Sequence, residues 1–182
     1  MYITCINRYL TAAEAAYIVN DSNSQALFAS SALDIAAALP ELLANCPHRF
    51  IKGDATADFE DYDAALEAHP TTPLAKQPAG DSMLYSSGTT GQPKGIKRPL
   101  SGQHVSAGIP GVEPDNPYGI NAQSIYLSPA PLYHAAPFGY CMRTLALGGQ
   151  VVMMQLFDPE LSLKFIEHYQ ITHSQWVPTM FV

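Results

Sequence analysis

The sequence predicts an α/β fold built on a parallel sheet, and three observations carry that prediction. Short apolar runs alternate with helical segments along the 182 residues. Two helix starts are spelled out in capping residues, Thr11-Ala12-Ala13-Glu14 and Asp158-Pro159-Glu160. Apolar residues make up 47% of the chain, which at this length supplies a core for one domain.

Taken in order, Met1-Tyr2-Ile3-Thr4-Cys5-Ile6-Asn7 reads as a strand, with no basic segment of a signal peptide before it. The Thr11/Glu14 capping box opens a helix to about Val19, ended by Asn20-Asp21-Ser22-Asn23. Residues 25–29 suit a buried strand. Ser31, with Asp34 three residues on, predicts a second helix that Pro40 limits or divides. Arg49-Phe50-Ile51-Lys52 is a third strand. The stretch 53–80 is looser and acidic through Asp54, Asp58, Glu60, Asp61 and Asp63. Their spacing matches no metal-ligand pattern and reads as a solvated helix start, followed by an extended connector with Pro70, Pro73 and Pro78. Strands follow at 82–85 and 96–98, then a proline-bearing loop at 111–119 and a strand at 124–127. Residues 138–147 form a helix closed by Gly148-Gly149, and 150–154 an apolar strand. Asp158-Pro159-Glu160 starts the last helix, with Leu161, Phe165, Ile166 and Tyr169 on one face, and 173–181 reads as strand plus turn.

The segment most loaded with chemistry is Tyr85-Ser86-Ser87-Gly88-Thr89-Thr90-Gly91-Gln92-Pro93-Lys94-Gly95. From Ser86 to Gly95 it holds three glycines, four hydroxyl side chains, one lysine and no acid. Glycines let backbone N–H groups approach a polyanion closely, and hydroxyls and a lysine add donors and charge. A triphosphate is the matching guest. The segment is not the common P-loop, because Pro93 precedes Lys94 and Gly95 follows it, so the usual Ser/Thr magnesium ligand is missing. That argues against kinase- or GTPase-like mechanisms. Lys97 and Arg98 stand beside Lys94, where they serve an electrostatic role or merely a solvated strand edge.

Position for position, Ser86 to Gly95 resembles the phosphate loop of the acyl-adenylate-forming, or AMP-binding, superfamily: acyl-CoA synthetases, peptide-synthetase adenylation domains and luciferases. Pro131-Leu132-Tyr133-His134 resembles that family's segment beside the acyl pocket, and Gln175-Trp176-Val177-Pro178-Thr179-Met180-Phe181 its next strand and turn. The resemblance covers nearly the whole chain. It implies the parallel-sheet layered α/β architecture of the family's N-terminal domain, here incomplete. It also implies a two-step ligation, in which a fatty-acid or other carboxylate attacks ATP to give acyl-AMP and pyrophosphate, and a thiol, usually coenzyme A, then takes the acyl group. The implied cofactors are ATP, Mg2+ and coenzyme A. The resemblance assigns nucleotide binding to Ser86, Ser87, Gly88, Thr89, Thr90, Gly91, Lys94 and Gly95. Lys94, Thr89 and Thr90 would act on the leaving pyrophosphate, and Tyr133, His134 and Trp176 would line the substrate site. Trp176 and Phe181 face that pocket or belong to the core. His134 needs no general-base role, since a carboxylate is already a nucleophile at pH 7. No metal ligand is assigned.

Departures accompany the match. Gly95-Ile96-Lys97-Arg98-Pro99 lacks the frequent Thr-His ending. The family's adenine-site motif, ribose-binding aspartate, following arginine and C-terminal catalytic lysine are not found in these residues. The expectation is therefore a partial N-terminal domain over 1–182, with the phosphate loop at 85–95. It lacks the mobile C-terminal domain and is inactive alone, with an apolar edge awaiting the missing half. A peptide-synthetase-type adenylation domain and a non-catalytic nucleotide-binding remnant are the alternatives.

Other classes are disfavoured. A net charge of −7 argues against non-specific nucleic-acid binding. No apolar run reaches about 18 residues, so no membrane span is expected. Cys5, Cys46 and Cys141 form no CxxC pair and suggest reduced thiols in a cytoplasmic protein. No Gly-x-Ser-x-Gly elbow surrounds Ser86 or Ser87, against a hydrolase triad.

Overall fold

The computed structural model of the chain describes residues 1–54, 56–86, 92–107 and 116–181. Ser87, Gly88, Thr89, Thr90 and Gly91, and residues 111–115 of the expected loop, lie outside the described residues.

The described elements follow the alternation read from the sequence. They run β1 (Tyr2–Ile3), α1 (Ala12–Asp21), β2 (Ala26–Ser30), α2 (Leu39–Leu42), β3 (His48–Lys52), β4 (Glu60–Asp61), α3 (Tyr62–Glu67), β5 (Asp81–Ser86), β6 (Lys94–Lys97), β7 (Ile125–Ser128), α4 (Ala135–Ala146), β8 (Gln150–Met153), α5 (Pro159–Tyr169) and β9 (His173–Ser174). The strands form three three-stranded sheets, ordered β1-β5-β6, β2-β3-β4 and β8-β7-β9. The second and third are wholly parallel, and in the first β1 pairs β5 in parallel. The exception is β5–β6, which is antiparallel.

The core sits between α1 and the β2-β3 pair. Thr11 caps α1 as expected: its hydroxyl accepts from the Glu14 N–H at 3.3 Å, and the Glu14 carboxylate accepts from the Thr11 N–H at 2.8 Å. The helix runs two residues past Val19, so Asn20 and Asp21 belong to it. It buries Ala15, Ala16 and Val19 with Leu27, Ile51, Leu39 and Phe59, at the three- and four-residue spacing of one helical face.

Several expectations are corrected. Ser31 caps no helix; its hydroxyl accepts from the Asp54 N–H at 3.1 Å, and a short 3-10 turn, Ala36–Ala38, leads into α2. Pro40 lies in the first turn of α2, where a missing N–H costs nothing, and so neither limits nor divides it. α4 starts at Ala135, three residues before the expected 138, because Pro137 is likewise tolerated in a first turn. In the acidic stretch, Asp61 caps α3 by accepting from the Ala64 N–H at 2.7 Å, and Asp63 pairs with Lys52 at 2.6 Å. The helix-start reading therefore holds.

α5 is capped by Asp158, which accepts from the Leu161 N–H at 2.6 Å, and closes on Gln170 at φ 52°. Its only buried residue is Ser162, and Leu161, Ile166 and Tyr169 are exposed. Phe165, the fourth residue of that apolar face, is half-buried, so the face is only partly covered. The accessible surface is 12130 Å². A compact monomer of this mass would expose roughly 8,600 Å². Leu156, Leu163 and Phe181, at 63%, 68% and 75% exposed, are part of the apolar share of that excess. Among the described residues no helix is long and apolar enough to cross a membrane.

Candidate functional site: the β5–β6 hairpin and its supports

The antiparallel register pairs Ser86 with Lys94, Tyr85 with Gly95, Leu84 with Ile96 and Met83 with Lys97. Ser86 and Lys94 therefore face each other where the glycine-rich segment leaves and rejoins the sheet. Both are exposed, and among the described residues no acid lies within ion-pair distance of Lys94. Strand alternation puts Lys97 on the opposite face from Lys94, where its ammonium lies 4.9 Å from the centre of the Tyr2 ring. Lys97 and Lys94 do not form one basic patch.

Gly95 is required by close packing. A Cβ there would meet Met83 Cε at 2.5 Å, Tyr85 Cζ at 2.9 Å and the Tyr85 hydroxyl at 3.0 Å. The bare backbone lets the Tyr85 ring lie across β6. From there the Tyr85 hydroxyl donates to Asp21 Oδ2 at 2.5 Å. Burial and the adjoining Asp21 carboxylate push the Tyr85 phenol well above its ordinary range, so it stays protonated as the donor. On the other stem, the Tyr17 hydroxyl donates to the Pro93 carbonyl at 3.2 Å. Tyr17 and Asp21 stand four residues apart, on one face of α1. Sequence reasoning missed this support. Its one visible signal is that four-residue spacing.

The remaining assigned residues fall at the carboxyl end of the parallel β8-β7-β9 sheet, where open α/β sheets bind ligands. His134 follows β7 and is the N-cap residue of α4, with no side-chain capping bond. Its ring lies 4.2 Å from that of Tyr133, centre to centre. Trp176 follows β9 and packs edge-on against Phe157 at 5.8 Å and, tilted by 43°, against Phe181 at 5.7 Å. Among the described residues no hydrogen bond or ring contact joins these two groups to each other or to Lys94. A concavity of about 600 Å³ beside α5, lined by Leu156, Phe157, Asp158 and Lys164 among others, holds none of the assigned residues. Its Glu160–Lys164 ion pair, at 2.8 Å, already satisfies the cation there.

The three thiols are poor candidates for nucleophiles. Burial raises the thiol pKa of Cys5, Cys46 and Cys141, against the small opposing pull of Arg49 on Cys46 and of Ser128 on Cys141. Among the described residues Lys94 has no acid within ion-pair distance, which suits an anionic phosphate and not a bare divalent cation.

A family model described as AMP-binding enzyme matches residues 1–182. The 4-hydroxybutyrate–CoA ligase 2 of Metallosphaera sedula is 32% identical over 101 residues, covering 56% of this chain and 18% of that protein. The 2-succinylbenzoate–CoA ligase of Bacillus licheniformis is 27% identical over 180 residues, 98% of this chain and 34% of that protein. Among solved structures, the O-succinylbenzoate coenzyme A synthetase of Bacillus subtilis, in complex with ATP and magnesium ion, superposes with a TM-score of 0.67 at 22% identity. That match covers 98% of this chain and 34% of the other, and shows a shared fold. The chain spans about a third or less of the length of these relatives.

Proposed function

This chain belongs to the AMP-binding enzyme family, and we propose that the protein carrying it is an ATP-dependent acyl-CoA ligase that works through an acyl-AMP intermediate. The observation that carries the reading is the hairpin register, which sets exposed Lys94 opposite Ser86 across the glycine-rich segment. The relatives named as CoA ligases support coenzyme A as the acceptor. Their named acids run from 4-hydroxybutyrate to 2-succinylbenzoate, so the substrate class is kept at carboxylic acid, without preference for fatty acids.

In this reading Lys94, Gly95 and Ser86, with Ser87, Gly88, Thr89, Thr90 and Gly91, hold the β- and γ-phosphates of ATP. Lys94, Thr89 and Thr90 offset the charge that builds on pyrophosphate as the carboxylate attacks the α-phosphorus. Preorganised donors favour that step because they need no reorientation as charge develops. Tyr133 and His134 flank the acyl group at the end of β7, and Trp176 contributes an apolar wall. Mg2+ is carried by the nucleotide phosphates, and no ligand for it is assigned to this chain.

The 182 residues form the phosphate-binding part of a larger N-terminal domain and are inactive alone. The partly covered α5 face and the surface excess support that partial status. The unpaired thiols fit a reducing, cytoplasmic setting. The test is ATP–pyrophosphate exchange by the full-length protein across short, long and aromatic carboxylates, with the 182-residue piece alongside. Exchange by the full-length protein alone, with one acid class, is expected. Absence of exchange with every acid class would favour a nucleotide-binding remnant.

A further inference from the structure

Both stems of the glycine-rich segment are tied to one helix. Tyr85, on the incoming strand, bonds Asp21, and Pro93, on the outgoing stem, accepts from Tyr17. We propose that Tyr17 and Asp21 of α1 are positioning residues, which clamp the β5–β6 hairpin and so fix Lys94 for nucleotide binding. The proposal rests on the reading of this hairpin as a phosphate site.

Four observations converge on it. The two α1 residues come from one face of a helix whose opposite side is locked into the core by Ala15, Ala16 and Val19. The clamp is therefore referenced to a helix that is packed into the core. The contacts reach across 64 and 76 residues of sequence, so they tie separate elements and are not local turn bonds. The two contact points flank the Ser86–Lys94 pair, one on each strand stem. Gly95, the partner of Tyr85 in the register, leaves the space that the Tyr85 ring needs to reach Asp21.

In the stronger arm the Tyr85 hydroxyl stays protonated and donates its hydrogen bond to the Asp21 carboxylate, which keeps its charge. A charge-assisted hydrogen bond is about twice as strong as a neutral one, so the Tyr85–Asp21 arm is the stronger of the two and Tyr17–Pro93 the weaker.

The experiment uses the full-length protein and calorimetric titration with MgATP, with thermal unfolding and carboxylate-dependent pyrophosphate exchange measured beside it. Asp21→Ala and Tyr85→Phe are expected to raise the Kd for ATP roughly ten-fold. Tyr17→Phe is expected to raise it roughly three-fold. Asp21→Asn keeps an acceptor oxygen and should recover most of the loss. The KM for the carboxylate should stay at its parental value in all four, which a loss of folded protein would also leave unmoved. The ATP Kd separates the two cases, because a merely structural role lowers the binding stoichiometry and leaves Kd alone. Parental Kd values in Asp21→Ala and Tyr85→Phe would overturn the clamp. If the parent binds ATP yet exchanges no pyrophosphate with any acid, the ligase reading fails while the Kd series still decides the clamp. No ATP binding by the parent overturns both.

Discussion

Replacing Gly95 by alanine probes the packing that the hairpin depends on. The added Cβ meets Tyr85 Cζ at 2.9 Å and Met83 Cε at 2.5 Å. The methionine methyl is the free end of a flexible chain and moves at small cost. The tyrosine ring is held by its hydrogen bond to Asp21. Two responses are open to the protein. The ring stays and the overpacking costs about 1–3 kcal/mol, or it swings away and loses a hydrogen bond to a charged group, worth about 1.5–3 kcal/mol. The cheaper response sets the net cost, so the substitution should destabilise by about 1–3 kcal/mol. For a protein region of this size that lowers Tm by roughly 2–12 °C. The assay is thermal unfolding of the full-length protein as a double-mutant cycle with Tyr85→Ala. With the ring removed, Gly95→Ala has only the flexible Met83 to displace, and its cost should fall below about 0.5 kcal/mol. An equal cost in both backgrounds would refute the reasoning, because the clash would then lie elsewhere.

Lys94→Ala should slow carboxylate-dependent pyrophosphate exchange by about 10²–10³-fold while thermal unfolding stays near the parent; an unchanged rate would remove Lys94 from the chemistry. Thr11→Ala should cost about 1 kcal/mol by deleting the capping box, read as a lower Tm. The same box has a pH signature. Hydrogen bonds from the Thr11 hydroxyl and N–H hold the Glu14 carboxyl below its ordinary value of 4.5. Its stabilisation is therefore present above pH 4.5 and lost as pH falls through the lower folded value, and Thr11→Ala should flatten that acid limb of the stability curve. Cys46 and Cys141, buried with raised pKa values, should alkylate at pH 8 much more slowly in the native protein than in urea, by peptide-resolved mass spectrometry.

What the sequence reveals about this fold divides by range. Thr11, Glu14 and Asp158 cap helices where they were read because a cap is satisfied within three residues. Ser31 offers the same local signal, yet its hydroxyl goes to the Asp54 N–H, a partner brought near only by the β2–β3 pairing. The antiparallel turn of β5 into β6 has no marker in the strands themselves, since period-two alternation is the same in either direction. The stripe Leu161, Phe165, Ile166 and Tyr169 has core-like spacing, but spacing states that a face is apolar and not what covers it. At the site, the order of residues around Lys94 is legible because backbone freedom and charge are local properties. The ties from Tyr17 and Asp21 are not, because each needs a second element to be placed first. The sequence leaves Trp176 open between pocket and core, because its ring partners Phe157 and Phe181 come from two different connections.

The most direct measurement is the identity of the nucleotide released when the full-length protein turns over ATP with its carboxylate and coenzyme A. An adenylating ligase cleaves between the α- and β-phosphates, so AMP and pyrophosphate should form in step with acyl-CoA, and Lys94→Ala should suppress both. ADP and phosphate as the products would contradict the account, because they would require attack at the terminal phosphate.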